Sequence, residues 1–160
     1  MTLYQLINLS LLLTHGLVSV ALIGAVTHQC AAVLFPSTDK TGGTFISRYR
    51  QVKGAGFARA VALLYISNLI LGGILYPEYR LEVRYALEEM HLLSTVGLFE
   101  LKEHWAAIGL ALLPLYLSAW HTEPATHQPV SHRKAATLTL GFIIWFTFLT
   151  GHVVNNVRGL

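Results

Sequence analysis

Charged residues are scarce in this sequence, and their scarcity limits the classes of protein to which it can belong. Only 12% of its 160 residues are charged, whereas 54% are hydrophobic. A water-soluble domain usually has about 25% charged residues, so too few remain here to cover the surface of an ordinary cytoplasmic enzyme. Intrinsic disorder and nucleic-acid binding are excluded by the same figures, because both require a more polar chain.

Cysteine is almost absent as well, since Cys30 is the single cysteine in the chain. No disulfide can therefore form within the chain, and a cysteine-based metal cluster is excluded. Histidine, by contrast, is abundant. The chain has 8 histidines beside only 8 acidic residues, so the histidines are the residues whose function most needs an explanation.

Four long apolar runs account for the composition: residues 6–35, 57–76, 98–120 and 135–154. Each is long enough to cross a bilayer, which takes about 20 apolar residues. Pro36 and Pro77 are predicted to end the first two runs. A backbone in lipid must satisfy its own hydrogen bonds, so the runs are expected to be helices. We therefore predict an all-α fold, an integral membrane up-down four-helix bundle that forms one domain over residues 1–160.

The segment 78–96 can be interpreted in two ways. Apolar and charged residues alternate along it in a roughly helical pattern. It could lie in the membrane interface, or it could extend the third span outward as one long helix.

The basic residues predict the orientation of the chain in a membrane. More of them lie in the loops after the first and third runs than on the opposite side, and these loops are expected to face the cytoplasm. Both termini are then outside the cytoplasm, and the expected location is a prokaryotic inner (cytoplasmic) membrane. The basic flank of the first loop also suits a cytoplasmic surface or anionic lipid headgroups.

Four histidines form two pairs with equal spacing. His15 and His28 are 13 residues apart in the first run, and His91 and His104 are 13 residues apart on or just before the third. The two runs are expected to point in the same direction, which predicts the pairs His15–His91 and His28–His104, about 20 Å apart along the helices. Neutral imidazole is a good ligand for haem iron.

This pattern resembles the di-haem membrane b-type cytochromes, in which two histidines on each of two helices hold two haems. The resemblance implies one or two molecules of haem b, bound as a metal centre by His15, His28, His91 and His104. It covers these four positions, and the spacing departs from the usual one. Thirteen residues leave two side chains roughly 140° apart around a helix, whereas 14 leave them about 40° apart.

A depth estimate gives a competing arrangement. His15, His104 and His152 are all expected about 6–11 Å from the span centres towards the outer side. Gly16 and Gly151 are next to two of them and could admit the face of a porphyrin. This predicts a single haem near the outer surface, with His152 as the alternative outer ligand.

A compact group of charges precedes His104. Glu100, Lys102 and Glu103 lie within or beside the third run, and ionisable residues at membrane depth usually face the protein interior or water. They are candidates for catalytic proton handling, as a proton acceptor beside a quinone or a haem propionate. The alternative is that the span begins at Trp105, which would leave these charges among the lipid headgroups.

These observations predict a haem-binding, cytochrome b-like membrane protein that transfers electrons and exchanges them with quinone. With little mass outside the bilayer, it is expected to work within a larger redox complex or as a homodimer. Two alternatives stay open. One is a cofactor-free structural or assembly subunit of a membrane complex, and the other is a relay for protons or metal ions through the histidines and glutamates.

Overall fold

The computed structural model describes residues 2–36, 43–51, 54–121 and 131–158, and within these ranges the chain is all-α, with no strand. The helices are α1 (Leu3–Leu34), α2 (Phe45–Tyr49), α3 (Gly54–Glu78), α4 (Arg84–Glu89), α5 (Leu93–His121) and α6 (Ser131–Arg158), with a π-helical turn at Tyr79–Val83 between α3 and α4.

The four long helices pack in a closed ring. Helix α1 contacts α3 and α6, and α5 contacts the same two helices. Side-chain contacts such as Asn8 with Glu78 and His28 with Phe57 show that α1 and α3 are antiparallel. We call the end at which α1 and α5 begin the N-terminal end, and the opposite end the α2 end.

Three stretches are long and apolar enough to cross a membrane: Leu3–Leu34, Gly54–Glu89 and Ser131–Val157. They correspond to the first, second and fourth predicted spans. The third predicted span is a helix, α5, but it is not among the three, because Glu100, Lys102 and Glu103 make its first half more polar.

Proline ends only one of the two runs that it was predicted to end. Helix α1 ends at Leu34, two residues before Pro36, as expected. The prediction for Pro77 is wrong, since α3 continues through it to Glu78. Pro77 lacks the N–H that would bond to residue 73, and its ring crowds that carbonyl. The wider turn at Tyr79–Val83 follows at once and allows the helical path to continue.

The segment 78–96 is not one long helix that extends the third span outward, and its location in the membrane interface stays a prediction. Its first part prolongs α3 through the π-helical turn and α4, and its last part is the beginning of α5. The two are separated by a turn that contains His91, which has a positive φ of 58°.

The core consists of two hydrophobic clusters at different depths. The larger one fills the middle and the α2 end, and it includes Leu22, Tyr65, Leu113, Leu140 and Ile144. The smaller one lies at the N-terminal end and consists of Val83, Leu87, Val96 and Val154. Polar side chains lie between the two clusters, and they form the site described next.

Candidate functional site

The candidate site is a layer to which all four long helices contribute. It contains His15 of α1, Gly72 of α3, Lys102 of α5 and Gly151 of α6, and we call it the His15–Lys102 layer. A Cβ atom on Gly72 would lie 3.4 Å from His15 Cε1, and one on Gly151 would lie 3.4 Å from Lys102 Nζ. The imidazole of His15 therefore lies against α3 at Gly72, and the ammonium of Lys102 lies against α6 at Gly151.

His15 is half-buried on the inner side of α1, where the charge of Lys102 acts on it from α5. Its Nδ1 atom is buried and has no hydrogen-bond partner among the described residues, although the backbone of Asn68 is close enough to act on the imidazole. One turn further along α1, the Ser19 hydroxyl donates to Asn68 Oδ1 at 2.7 Å. His15 thus has a buried nitrogen that is still able to bind a proton or a ligand.

The ammonium of Lys102 lies over the ring of Phe99, 4.8 Å from its centroid, which is a cation–π arrangement. Phe99 in turn stacks on Tyr79, with 3.5 Å between the ring centroids. In the part of the chain that the structure describes, no carboxylate comes within ion-pair distance of Lys102. An ammonium inside a helix bundle without a carboxylate partner is unusual, because burying charge is costly unless it is compensated.

Ionisable groups connect this layer to the N-terminal end. Arg84 pairs with Glu88 at 2.8 Å and with Glu100 at 3.1 Å. Glu103 is half-buried, and it interacts electrostatically with Lys102 and with Glu100 of this surface network. Glu100, Glu103 and Lys102 are thus neighbouring proton-binding groups on the first half of α5.

A second polar contact lies beside this path. The Tyr4 hydroxyl donates to Glu78 Oε2 at 2.7 Å, and the Asn8 amide donates to the same oxygen. Glu78 therefore connects the beginning of α1 to the end of α3.

The helix register does not bring the predicted histidine pairs to the same depth. His91 precedes Lys102 by 11 residues, so it lies about 16 Å beyond the layer towards the N-terminal end, exposed in its turn. His28 follows His15 by 13 residues, about 20 Å towards the α2 end, whereas His104 stays near Lys102. The pairs His15–His91 and His28–His104 are therefore each separated by about 16 Å in depth.

His104 and His152 lie at the level of the layer but outside the ring. Two residues turn a helix by about 200°, so His104 faces outward when Lys102 faces inward. Both histidines are exposed. His104 Nδ1 lies 2.7 Å from the carbonyl oxygen of Glu100 on its own helix, and His152 stacks on Phe148, 6.1 Å between centroids. The register thus places His104 and His152 near the level of His15, whereas the position of Lys102 inside the ring was not anticipated from the sequence.

His28 has a different environment at the α2 end. Its ring stacks on Tyr49 of α2 at 4.3 Å and meets the edge of Phe57 at 5.3 Å. Its Nε2 atom is buried and has no hydrogen-bond partner in the described ranges. His28 therefore holds the short helix α2 against α1.

No group of three or more His, Cys, Asp or Glu side chains that could hold a metal ion is found within residues 2–36, 43–51, 54–121 and 131–158.

A second polar layer lies deeper in the bundle, and the sequence interpretation missed it. There the Tyr116 hydroxyl donates to Gln29, and Trp120 Nε1 donates to Thr137 at 3.0 Å. Gln29 could have been found from its position 14 residues after His15, which places both on one face of α1.

Comparison of the chain with protein-family models, curated proteins and solved structures finds no match. The His15–Lys102 layer and its surroundings are therefore the basis for a functional proposal.

Proposed function

We propose that the protein is an integral membrane protein in which all four long helices, including α5, cross the bilayer. Helix α5 closes the ring between α3 and α6. If these two neighbours cross the bilayer, α5 is expected to cross it with them. Its outer surface carries exposed apolar side chains, among them Ile108, Leu110 and Leu115. Lys102, which lowers its apolar character, points into the ring.

The distribution of charge supports the orientation with both termini outside the cytoplasm. At the α2 end, the described charged side chains are all basic: Arg48, Arg50, Arg59, Arg133 and Lys134. The described acidic side chains all lie towards the N-terminal end. By the positive-inside rule the α2 end faces the cytoplasm, as expected for a protein of the prokaryotic inner membrane.

Within this membrane protein, we propose that Glu103, Lys102 and His15 handle protons. Glu100 and Glu103 exchange protons with water, and Lys102 and His15 hold them between the helices. The observation that carries this proposal is the presence of Lys102 and His15 together inside the ring, with no carboxylate paired to the ammonium in the described residues.

The proton path is proposed to end at the layer. Between His15 and the deeper polar layer of Gln29 and Tyr116 the core is apolar, with Leu22, Leu140 and Ile144 almost completely buried, and these three side chains offer no proton-binding groups. Such a half-path suits a subunit that supplies or accepts protons for a reaction within the bilayer. Quinone reduction and quinol oxidation are reactions of this kind, so the proposed partner is a quinone-linked redox complex.

Infrared spectroscopy tests whether Glu103 binds protons. We expect a carboxyl C=O band to appear in the difference spectrum as the medium is acidified, and to shift in D₂O because the group is reached by water. Glu103→Gln should remove this band. Glu89→Gln is the matched control, since Glu89 is exposed on α4 and its replacement should leave the Glu103 band in place.

The same spectra can contradict the proposal. If wild type and Glu103→Gln give the same difference band, Glu103 does not bind the proton. If reconstituted liposomes instead show a proton flux across the membrane that Glu103→Gln abolishes, the path crosses the whole bundle and does not end at the layer.

A membrane cytochrome is the second candidate function, and the buried nitrogens of α1 favour it. His15 Nδ1 and His28 Nε2 both lack hydrogen-bond partners among the described residues, as ligands of an iron would. The two histidine pairs inferred from the 13-residue spacing do not fit bis-imidazole ligation of haem b in this register, because they differ in depth. His104 and His152 share the depth of His15, but both are exposed outside the ring. A haem at either position would take its second ligand from another subunit or another copy.

Absorption spectra of dithionite-reduced protein from haem-replete membranes test this candidate. Sharp b-type bands are expected if it is correct, with His15→Ala and His28→Ala each removing one component because each imidazole is an iron ligand. His91→Ala should leave the spectrum unchanged, since His91 lies in the exposed turn before α5. The absence of sharp bands would reject the cytochrome, and their loss in His91→Ala would restore the pairing inferred from the 13-residue spacing.

A further inference from the structure

Helix α2 is a short amphipathic element docked at the end of the bundle. Thr44 caps its beginning by accepting a hydrogen bond from the backbone N–H of Ser47 at 3.1 Å. Tyr49 fixes its other end through the stacking on His28 at 4.3 Å. Two apolar residues of the same helix point away from the protein, since Phe45 is 75% exposed and Ile46 is 59% exposed.

The exposed side of α2 lies where the membrane interface is expected. Helix α1 ends at Leu34 and α3 begins at Gly54, so α2 stands between the ends of two candidate spans. Exposed apolar side chains at this level are typical of helices that lie in the interface and bury one face at the boundary between headgroups and acyl chains.

Basic side chains surround these apolar residues. Arg48 is on α2 itself, and the guanidinium of Arg50 lies 5.6 Å from the centroid of the Phe35 ring. Arg59 is exposed on the first turns of α3. Within the described ranges, no acidic side chain lies beside these arginines at this end.

We propose that Phe45, Ile46, Arg48, Arg50 and Arg59 form a surface that binds anionic phospholipid headgroups, which we call the α2 surface. The inference rests on the proposed membrane function. A phospholipid offers an anionic phosphate above an apolar boundary, and the α2 surface presents arginine beside exposed phenylalanine and isoleucine. An acidic protein segment would match the arginines but would leave Phe45 and Ile46 without an apolar environment.

Titration with short-chain lipids in a neutral detergent tests the proposal. The full chain is titrated with dioctanoyl phosphatidylglycerol and, separately, with dioctanoyl phosphatidylcholine, and bound lipid is counted by native mass spectrometry. Each arginine near an anionic surface contributes about a fivefold gain in affinity. We therefore expect phosphatidylglycerol to bind at least about tenfold more tightly, and Arg48→Gln/Arg50→Gln to remove most of this preference.

The matched control removes the same charge from the other end of the bundle. Arg80→Gln/Arg84→Gln should keep the preference for phosphatidylglycerol, because both arginines lie near the N-terminal end. The proposal is overturned if the two lipids bind equally, if both double variants lose the preference to the same extent, or if inorganic phosphate displaces the lipid completely. The last result would indicate a site for soluble phosphate.

A second variant protects the test against misfolding. Phe45→Gln/Ile46→Gln changes only exposed side chains of α2, so it is expected to fold and to bind both lipids more weakly.

Alkaline extraction of membranes separates this inference from the proposed function. A chain released by alkali would refute the membrane protein itself, whereas a chain that stays in the pellet without lipid preference would refute only the α2 surface.

Discussion

Replacement of Lys102 by methionine is expected to give a protein that is more stable and has lost the proton handling proposed for this site. Methionine keeps most of the length and volume of lysine, so it fills the same space beside Gly151 without a charge. The ammonium of Lys102 lies between helices over the Phe99 ring, with no paired carboxylate in the described residues. Removing such a group saves part of its desolvation cost, about 1–2 kcal/mol.

Thermal unfolding in detergent measures this effect through the loss of helical circular dichroism. A gain of that size corresponds to a rise in Tm of about 2–8 °C for a chain of this length. The matched control is Lys134→Met, because Lys134 is exposed on α6 and its replacement should change stability by less than about 0.5 kcal/mol.

The functional part of this prediction uses the infrared band of Glu103. Glu103 interacts electrostatically with Lys102, so the loss of the positive charge should move the acidity at which the Glu103 band appears. A lower Tm for Lys102→Met would show that Lys102 does not destabilise the fold. An unchanged Glu103 band would show that Lys102 does not act on Glu103. Opposite effects on stability and function are expected where a site is maintained at the expense of packing.

The helices were predictable from the sequence, but one of the breaks between them was not. Apolar runs of sufficient length indicate helices wherever water cannot satisfy the backbone, and α1 and α6 follow this rule. Pro77 did not end α3 because a proline disturbs only one turn, and a wider turn such as Tyr79–Val83 can absorb the disturbance. Whether a chain uses that solution depends on its packing, in this case of Tyr79 on Phe99.

The inner faces of the helices could also be read from the sequence. Along α1, residues His15, Leu22 and Gln29 recur every seven positions, and Val26 and Val33 follow the same pattern. A heptad spacing of this kind marks the seam between packed helices. This spacing places Gln29 on the inner face of α1 with His15 and places His28 on another face. The seven-residue spacing therefore predicts the inner face better than the equal 13-residue spacing of the histidines does.

The partners across the bundle could not be predicted in this way. The periodicity of one helix gives the direction of a side chain but not its height relative to the next helix. That height depends on the connections, and the continuation of α3 through α4 to Glu89 sets where α5 begins. Because of this connection, Lys102 lies at the level of His15. If the third span had extended outward as one long helix, His91 would have been expected at that level instead.

Gly109→Ala tests the register on which the depth of Lys102 depends. A Cβ atom on Gly109 would collide with the Tyr65 hydroxyl, and it would lie 3.0 Å from Ile143 Cγ2. Tyr65 cannot move away freely, because its hydroxyl donates to the carbonyl oxygen of Ala106 at 2.8 Å. We expect a loss of about 1–3 kcal/mol in the free energy of unfolding, measured by thermal or denaturant unfolding in detergent.

Gly97→Ala is the matched control on the same helix. A Cβ atom on Gly97 meets nothing within 4 Å, so alanine should stabilise α5 there by up to about 1 kcal/mol through its higher helix propensity. The double variant Tyr65→Phe/Gly109→Ala should lose less stability than the sum of its single changes, because phenylalanine lacks the colliding hydroxyl. Equal effects of the two glycine substitutions would mean that Tyr65 does not pack on Gly109. The register of α3 and α5 would then be different, and Lys102 would not lie opposite His15.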